Sequence, residues 1–172
     1  MGISKVHDAS ELAEAVEAAQ QHDPKVLVEV AAEGAREVEC GVIDGFQGEM
    51  PLASVVAEIR VDAAHEFYDF AAKYLPEEHT ELDVPADLPD EVVARVRDLA
   101  VDSFRALSCE GLARVDFFVL PDDRVVVNEV NTMPGFTPSS MFPRMWAASG
   151  LDYPALVDRL IQLALQRETG LR

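Results

Sequence analysis

The sequence predicts an α+β domain in which helices pack on an antiparallel sheet. Two apolar, β-branched runs on either side of Pro121-Asp122-Asp123 are typical of a β-hairpin. The segments from Asp90 to Leu107 and from Leu151 to about Arg167 repeat apolar side chains at helical spacing. We therefore expect these two helices to cover the sheet, with a functional site at the edge of the sheet.

The first part of the chain predicts one helix and three strands. The helix begins with a capping-box-like pattern at Asp8 and ends before His22-Asp23-Pro24. A nearly continuous apolar run predicts a strand from Lys25 to Val30. A second strand is expected from about Arg36 to Ile43, where apolar and polar residues alternate, and a third from Leu52 to Val61.

The middle of the chain predicts a long loop between the third strand and the helix that begins at Asp90. From Glu66 to Pro89 the sequence shows little periodicity, which is typical of a functional or a disordered loop. Its aromatic residues argue against disorder. After the hairpin, a short helix is expected from about Ser140 to Ala148.

Four polar residues interrupt the otherwise apolar hairpin, namely Arg114, Asp116, Glu129 and Asn131. A two-residue loop at Asp122-Asp123 would put all four on one face, because strand side chains alternate between faces. A loop one residue longer would offset the pairing. The two-residue loop pairs Leu120 with Val125, Phe118 with Val127, Asp116 with Glu129 and Arg114 with Asn131.

The predicted pairing sets two carboxylates directly opposite each other. Their Cβ atoms would lie about 5 Å apart, so the two charges repel unless a cation is near. Arg114 supplies one positive charge, and a magnesium ion suits the hard oxygens of Asp116, Glu129 and Asn131. The alternative is a solvated face with a cross-strand salt bridge.

The segment after the hairpin also contains candidate ligand-binding groups. Pro134-Gly135 predicts a turn in which the backbone can approach a ligand closely. Ser139 or Ser140 at a helix start offers a hydroxyl and free N–H groups, which suit a carboxylate or phosphate. The alternative is that either serine is an ordinary N-cap.

Composition excludes several classes of protein. The net charge is −18, from 32 acidic and 14 basic residues among 172, which argues against binding to nucleic acid or to an anionic membrane. The chain contains no apolar run of transmembrane length. Cys40 and Cys109 are interpreted as free buried thiols, which fits a cytoplasmic protein.

Three stretches of the sequence closely resemble the D-alanine–D-alanine ligases, ATP-grasp enzymes of peptidoglycan precursor synthesis. They are CEGLARVDFF from Cys109 to Phe118, NEVNTMPGFT from Asn128 to Thr137, and SMFPRMWAASG from Ser140 to Gly150. The resemblance extends over nearly the whole chain. It implies the fold of the C-terminal domain of ATP-grasp enzymes and ligation of two D-alanines through an acyl phosphate.

The resemblance assigns roles to the hairpin residues and to the segment that follows. The cofactors implied are ATP and two Mg²⁺ ions, or Mn²⁺ in their place. Asp116 and Glu129 would hold one ion, and Glu129 and Asn131 the other. Arg114 would stabilise charge on the reacting groups, the N–H of Gly135 would serve as an oxyanion donor, and Ser140 would bind the second substrate's carboxylate.

The resemblance also implies a nucleotide site in the first half of the chain. Glu29, Val30 and Ala32 match the linker that reads adenine, and Glu37 matches the residue that binds the ribose hydroxyls. From the residues alone, the alternative for Glu29 and Glu37 is a pair of solvent-facing strand residues.

The segment from Glu66 to Leu75 resembles the family's mobile loop. Lys73 would reach the γ-phosphate and Tyr74 would close over the D-alanine site, while Phe67 is a candidate neighbour of adenine. The alternatives are a surface lysine for Lys73 and a core position for Phe67.

The match begins just after the family's phosphate loop, at Gly2. We interpret residues 1–37 as a remnant of the central ATP-grasp subdomain and residues 38–170 as the C-terminal catalytic domain. The expected partners are D-alanine, the missing N-terminal half of the enzyme and a second copy in a homodimer, and we expect little activity from the chain alone. The alternatives are another ATP-grasp ligase, such as a D-alanine–D-lactate ligase, or a non-catalytic fragment.

Overall fold

The computed structural model describes residues 2–61 and 80–167. The elements in chain order are α1 (Leu12–Gln20), β1 (Arg36–Ile43), β2 (Leu52–Val61), β3 (Thr80–Asp83), α2 (Asp90–Ala106), β4 (Leu112–Val119), β5 (Val125–Asn131), α3 (Met141–Ala148) and α4 (Tyr153–Gln166). The five strands form one antiparallel sheet in the order β3-β2-β1-β4-β5. The predicted α+β class with helices on an antiparallel sheet is confirmed.

The main hydrophobic core lies between α2 and one face of the sheet, which we call the core face. β1 and β4 run side by side, and every second residue of each points towards α2. The buried apolar side chains of this layer are Val38, Cys40, Val42, Ala113, Val115, Phe117 and Val119 from the strands and Val92, Val96, Ala100 and Phe104 from α2. Burial of this set stabilises the domain because it removes apolar surface from water.

A second hydrophobic cluster lies on the opposite face, which we call the site face. It joins Ile43 of β1 to Phe142 and Trp146 of α3 and Leu156 of α4. A Cβ atom at Gly41 would lie 2.9 Å from Nε1 of Trp146, so glycine allows α3 to approach the strand this closely. Since α3 covers the Gly41–Ile43 end of β1, the other end of the site face is left for polar residues.

Two expectations about strands are wrong. The apolar run from Lys25 to Val30 forms no strand, and the exposed fractions of Leu27 and Val30 are 76% and 97%. The sheet of the described residues has five strands and none pairs with this run, so strand propensity alone does not order it. Conversely, β3 lies within the segment assigned to a loop, because Thr80 to Asp83 pairs with the outer side of β2.

The predicted register of the hairpin is confirmed at the end far from the turn and is wrong near the turn. Asp116 pairs with Glu129 and Arg114 with Asn131, as predicted, whereas Phe118 pairs with Val126 rather than Val127. Leu120 likewise does not pair with Val125, which lies opposite Val119.

The turn and an irregularity in β5 explain this difference. The turn has three residues, Pro121 to Asp123, with Asp123 at a φ of 62° and with Leu120 and Arg124 joined by a backbone hydrogen bond of 2.9 Å. The longer turn offsets the pairing by one residue from the predicted register. An extra residue in β5, Asn128, lies opposite the step from Asp116 to Phe117 and restores the predicted register beyond it.

Helix α1 begins later than predicted, at Leu12, with Glu11 rather than Asp8 as its N-cap residue. The other elements with predicted bounds match them to within two residues. Helix α1 buries none of its residues. Both cysteines are free, Cys40 fully buried and Cys109 partly buried. None of the helices in residues 2–61 and 80–167 is long and apolar enough to cross a membrane.

Candidate functional site

A row of three carboxylates crosses the site face over three neighbouring strands. Glu39 of β1 lies directly opposite Asp116 of β4, and Asp116 lies directly opposite Glu129 of β5. Glu39 and Asp116 are 4% and 8% exposed, whereas Glu129 is exposed. The row therefore runs from a buried acid to one at the solvent, and such a concentration of negative charge requires positive groups nearby.

Arg114 supplies the positive charge within this row. Its Nε donates to Oδ1 of Asp116 and its Nη2 to Oδ2, both at 2.7 Å, which is a bidentate ion pair. The same Nε lies 3.3 Å from Oε1 of Glu39. One guanidinium is thus shared by two buried carboxylates on adjacent strands.

The environment of Arg114 strengthens its cationic form. Burial lowers the pKa of Arg114, but the hydrogen bond that it donates to Asp116 and the charges of Glu39, Asp116 and Glu129 raise it more, so the net shift is upward. The guanidinium therefore remains charged at any pH at which the protein folds.

The oxygens of Asp116, Glu129 and Asn131 lie on one face of adjacent strands, as a shared metal site requires. Carboxylate and amide oxygens are the ligands that Mg²⁺ and Mn²⁺ prefer. Both oxygens of Asp116 accept bonds from Arg114, and Oδ1 of Asn131 accepts the N–H of Met133 at 3.0 Å, but each oxygen has a second lone pair. The donor set therefore fits a divalent cation in kind, and its three residues lie on one face of the sheet.

Protein carboxylates alone form no metal cluster in the part of the chain that the structure describes. In the described ranges, no group of three or more His, Cys, Asp or Glu side chains is arranged to hold a metal ion. Any ion at this site must therefore draw further oxygens from the amide of Asn131, from water or from a phosphate-bearing substrate.

The segment that follows β5 brings a glycine and a hydroxyl cluster together at the start of α3. A Cβ atom at Gly135 would lie 3.1 Å from Oγ of Ser140. The backbone N–H of Thr137 donates to Oγ of Ser140 at 3.0 Å, and Oγ1 of Thr137 lies 2.8 Å from the same Oγ. Ser140 is the N-cap residue of α3, but its side chain makes no capping hydrogen bond, so its hydroxyl is held by Thr137 instead.

The predicted nucleotide residues are only partly brought together. Glu37 is on β1, two residues before Glu39, and therefore on the site face with the acidic row. Glu29 and Val30 are exposed and Ala32 is half-buried, in the segment that joins no strand. Phe67, Lys73 and Tyr74 lie outside the described residues.

Sequence reasoning did not identify Glu39 as a site residue. The alternation of β1 puts Glu39 on the same face as Glu37, and this was the available signal. What the sequence could not supply was the pairing of β1 with β4, which joins segments more than seventy residues apart and brings Glu39 opposite Asp116.

The sheet and its row of acids define a class of protein. A five-stranded antiparallel sheet with helices on both faces matches the C-terminal domain of ATP-grasp ligases, and the row of acids is the candidate site on this sheet. The family description "D-ala D-ala ligase C-terminus" matches residues 1–162. The chain therefore belongs to the D-alanine–D-alanine ligase family.

Similar proteins of known sequence and structure agree with this assignment. The chain is 59% identical over its whole length to the D-alanine–D-alanine ligase of Kineococcus radiotolerans, covering 46% of that protein. It is 57% identical to the ligase of Streptomyces coelicolor, covering 43%. The chain thus spans slightly less than half of these curated relatives.

Two solved structures are similar over most of the chain. A D-Ala:D-Ser ligase from Enterococcus faecalis gives a TM-score of 0.78 at 37% identity, over 94% of this chain and 45% of that one. The D-alanine–D-alanine ligase of Bacillus anthracis, solved with ATP, gives 0.76 at 32% identity, over 96% and 51%.

Proposed function

We propose that this chain supplies the metal-binding and acyl-transfer part of an ATP-dependent ligase that joins two D-alanines. The observation that carries the proposal is the placement of Asp116, Glu129 and Asn131 on one face of adjacent strands, with Arg114 among them. Membership of the ligase family supports the reaction class. The residues that complete the active site would come from the rest of the enzyme.

Joining two amino acids requires a better leaving group than a carboxylate oxygen. In the proposed reaction, the first D-alanine's carboxylate takes the γ-phosphoryl group of ATP, with release of ADP, and forms an acyl phosphate. The amine of the second D-alanine then attacks the acyl carbon, phosphate leaves, and the attacking nitrogen loses a proton. Such a reaction depends on positioning and on neutralising charge.

Each residue of the hairpin has a role in this proposal. Asp116 and Glu129 would hold one divalent ion, and Glu129 and Asn131 a second. Bound ions would neutralise negative charge on the phosphates. Arg114 would stabilise the charge that builds on the acyl group as it is attacked, which is the kind of interaction that lowers a barrier when the donor is held in advance.

The segment between β5 and α3 would bind the second substrate. The N–H of Gly135 would donate to the oxyanion, and the hydroxyl of Ser140 would donate to the carboxylate of the second D-alanine. The hydrogen bond from the Thr137 N–H occupies an acceptor position on that hydroxyl oxygen, which favours pointing its own hydrogen elsewhere.

Nucleotide binding completes the proposal. Glu37, on the site face, would accept hydrogen bonds from the ribose hydroxyls. Glu29, Val30 and Ala32 would read adenine, and this requires their segment to be ordered by the remainder of the enzyme. Phe67, Lys73 and Tyr74 are proposed to contact adenine, the γ-phosphate and the D-alanine site.

A chimera tests the proposal. Residues 1–172 of this chain replace the matching portion of the Kineococcus radiotolerans ligase, to which they are 59% identical. Asp116→Asn and Glu129→Gln should each lower the rate of D-alanyl-D-alanine formation by about 100-fold or more, by analogy with other electrostatic groups. The matched control is Asp122→Asn, which changes an exposed carboxylate at the turn of the same hairpin.

Acceptor choice is read in the same assay. Since one similar structure is a D-Ala:D-Ser ligase, the chimera is supplied with D-serine and D-lactate as well as D-alanine. We expect D-alanine to be the preferred second substrate. Full activity of the Asp116→Asn chimera would overturn the metal assignment, and preference for D-lactate would favour the D-alanine–D-lactate ligase alternative.

A further inference from the structure

Glu39 is a buried acid that the proposed reaction does not use. It lies on β1, which pairs with one edge of β4, while β5 pairs with the other edge. Its backbone position is directly opposite Asp116, and its Oε1 is 3.3 Å from Nε of Arg114. Glu39 and Arg114 therefore form an ion pair in which the side chains are 5% and 12% exposed.

In the proposed function, Asp116 holds a divalent ion and Arg114 acts on the reacting groups. The bidentate pair between these two side chains conflicts with both roles. Arg114 donates to both oxygens of Asp116, the same oxygens that would face a divalent ion. If Asp116 held a divalent ion, the positive charge of the ion would repel the guanidinium and weaken that pair. Arg114 then needs a second anionic anchor if it is to remain at the reacting groups.

Glu39 has the position and the chemistry of that anchor. It is fixed to a central strand of the sheet, and it already shares the Nε–H of Arg114 with Asp116. It is separated from Glu129 and Asn131 by the whole of β4, so Arg114 can shift towards β1 without entering the proposed metal-binding side of the site.

We propose that Glu39 is a positioning residue that holds Arg114 in place when a divalent ion engages Asp116. This inference rests on the proposed ligase function, because it assumes that Asp116 is a metal ligand and that Arg114 acts on the reacting groups. Glu39 touches neither substrate nor metal and acts only through Arg114.

A purely structural role for Glu39 predicts a different result. In that case the carboxylate only satisfies a buried guanidinium, and its loss lowers stability without changing the reaction of the folded protein. Glu58 is a matched control, since it is 5% exposed, close to the 4% of Glu39, and forms a bidentate pair with Arg36 on the core face of β2.

The first test follows the Hε–Nε signal of Arg114 by NMR in this chain, with Arg114→Lys identifying the signal. Asp116→Asn removes the negative charge of one of the two carboxylates that hold Arg114. It thereby imitates the weakening of the Arg114–Asp116 pair that metal binding would cause. We expect the Arg114 signal to stay protected from exchange with water in Asp116→Asn and to lose that protection in Asp116→Asn/Glu39→Gln. Asp116→Asn/Glu58→Gln should behave like Asp116→Asn.

Loss of protection already in Asp116→Asn would overturn the inference, because Glu39 would then be unable to hold Arg114 alone. This arm needs no substitution at Glu39, so it stands even if the Glu39 variant fails to fold. Circular dichroism of each variant identifies that failure. Protection that persists in the double variant would also overturn the inference.

The second test measures kinetics in the Kineococcus chimera. Glu39→Gln should lower kcat by roughly 10- to 100-fold, the usual effect of losing a residue that orients a metal-site group, with KM for ATP changed less than about twofold. Glu58→Gln should leave both values unchanged. Loss of activity in Asp116→Asn together with unchanged kcat in Glu39→Gln would overturn this inference alone, whereas full activity in Asp116→Asn would overturn the proposed function itself.

Discussion

Single residues of the site act mainly by holding one another. Arg114 is held by carboxylates on two strands, and the Ser140 hydroxyl is held by Thr137. A group that is oriented before the substrate arrives loses less entropy in the reaction, which is the advantage of such pairs. Substitutions that keep size and remove one polar contact therefore test the site more sharply than truncations.

Thr137→Val should weaken binding of the second substrate. The valine keeps the shape and the backbone N–H but removes the hydroxyl that lies 2.8 Å from Oγ of Ser140. Loss of about 1 kcal/mol of orientation corresponds to roughly a fivefold rise in KM for the second D-alanine in the chimera. Thr137→Ser keeps the hydroxyl and should leave KM for the second D-alanine unchanged. Thr132→Val is the control, because Thr132 is an exposed threonine earlier in the same segment. An unchanged KM in Thr137→Val would contradict the role of Thr137.

The buried thiol of Cys40 predicts a loss of stability at alkaline pH. Burial raises its pKa from the ordinary 9.0 to about 11, and the hydrogen bond with Ser54 offsets only part of that shift. Below pH 9 the thiol is protonated in both states. Between pH 9 and about 11 the unfolded chain releases its proton while the folded protein keeps it, so stability falls as pH rises, by up to about 3 kcal/mol in total.

Urea unfolding from pH 8 to 11 measures this effect. Cys40→Ala should be less stable at every pH because it leaves a cavity, but its stability should fall less steeply above pH 9. Equal slopes for the two proteins would contradict the prediction. Cys109→Ala is the control, because Cys109 is only partly buried.

At the scale of elements, the hairpin shows what alternation can predict. Alternation puts the four polar residues on one face, and an assumed two-residue loop pairs Asp116 with Glu129 and Arg114 with Asn131, as the structure does. It was not sufficient near the turn, because the positive φ of Asp123 and the extra residue in β5 are local backbone choices that polarity does not encode. The longer turn and the extra residue cancel each other, so the pairing far from the turn matches the predicted register.

The remaining errors come from contacts between distant segments. β3 is polar and short, and it forms because the edge of β2 offers a partner. The apolar run that ends at Val30 has strand propensity and no partner in the described sheet. Glu39 became a site residue only through the pairing of β1 with β4. Periodicity identifies which faces are apolar, but it does not identify which faces meet.

Deleting Asn128 tests whether the bulge in β5 is needed for stability. Without this residue, Glu129 would follow Val127 directly, so the pairing would become regular while Glu129 stays opposite Asp116 and Asn131 stays opposite Arg114. We therefore expect the deletion to change the free energy of unfolding by less than about 1 kcal/mol, as Asn128→Ala should, because neither change moves a carboxylate to the core face. Urea unfolding measures both variants, and a loss of about 3 kcal/mol or more in the deletion alone would contradict the prediction.

The whole molecule consists of one packed sheet layer and a poorly packed beginning. Helix α1 buries none of its residues, and the chain after it, including Leu27, Val28 and Val30, remains exposed. Exposed apolar residues in such number are typical of a surface that another part of a protein covers. The interpretation of residues 1–37 as part of another subdomain stays a prediction, and β1 begins slightly before its boundary, at Arg36.

Deletion of residues 1–33 tests that division directly. The ion pair between Lys5 and Glu33 is long, at 3.8 Å, and exposed on the glutamate side, so it contributes little to stability. Since no core residue lies among the described residues 2–35, the deletion should change the free energy of unfolding by less than about 1 kcal/mol. Deletion of α4 is the opposite control, because it removes the fully buried Leu156 from the second cluster and should cost about 3 kcal/mol or more. If the two deletions destabilise the protein equally in urea, the first 33 residues belong to the same cooperative unit as the sheet, and the predicted boundary near residue 37 is wrong.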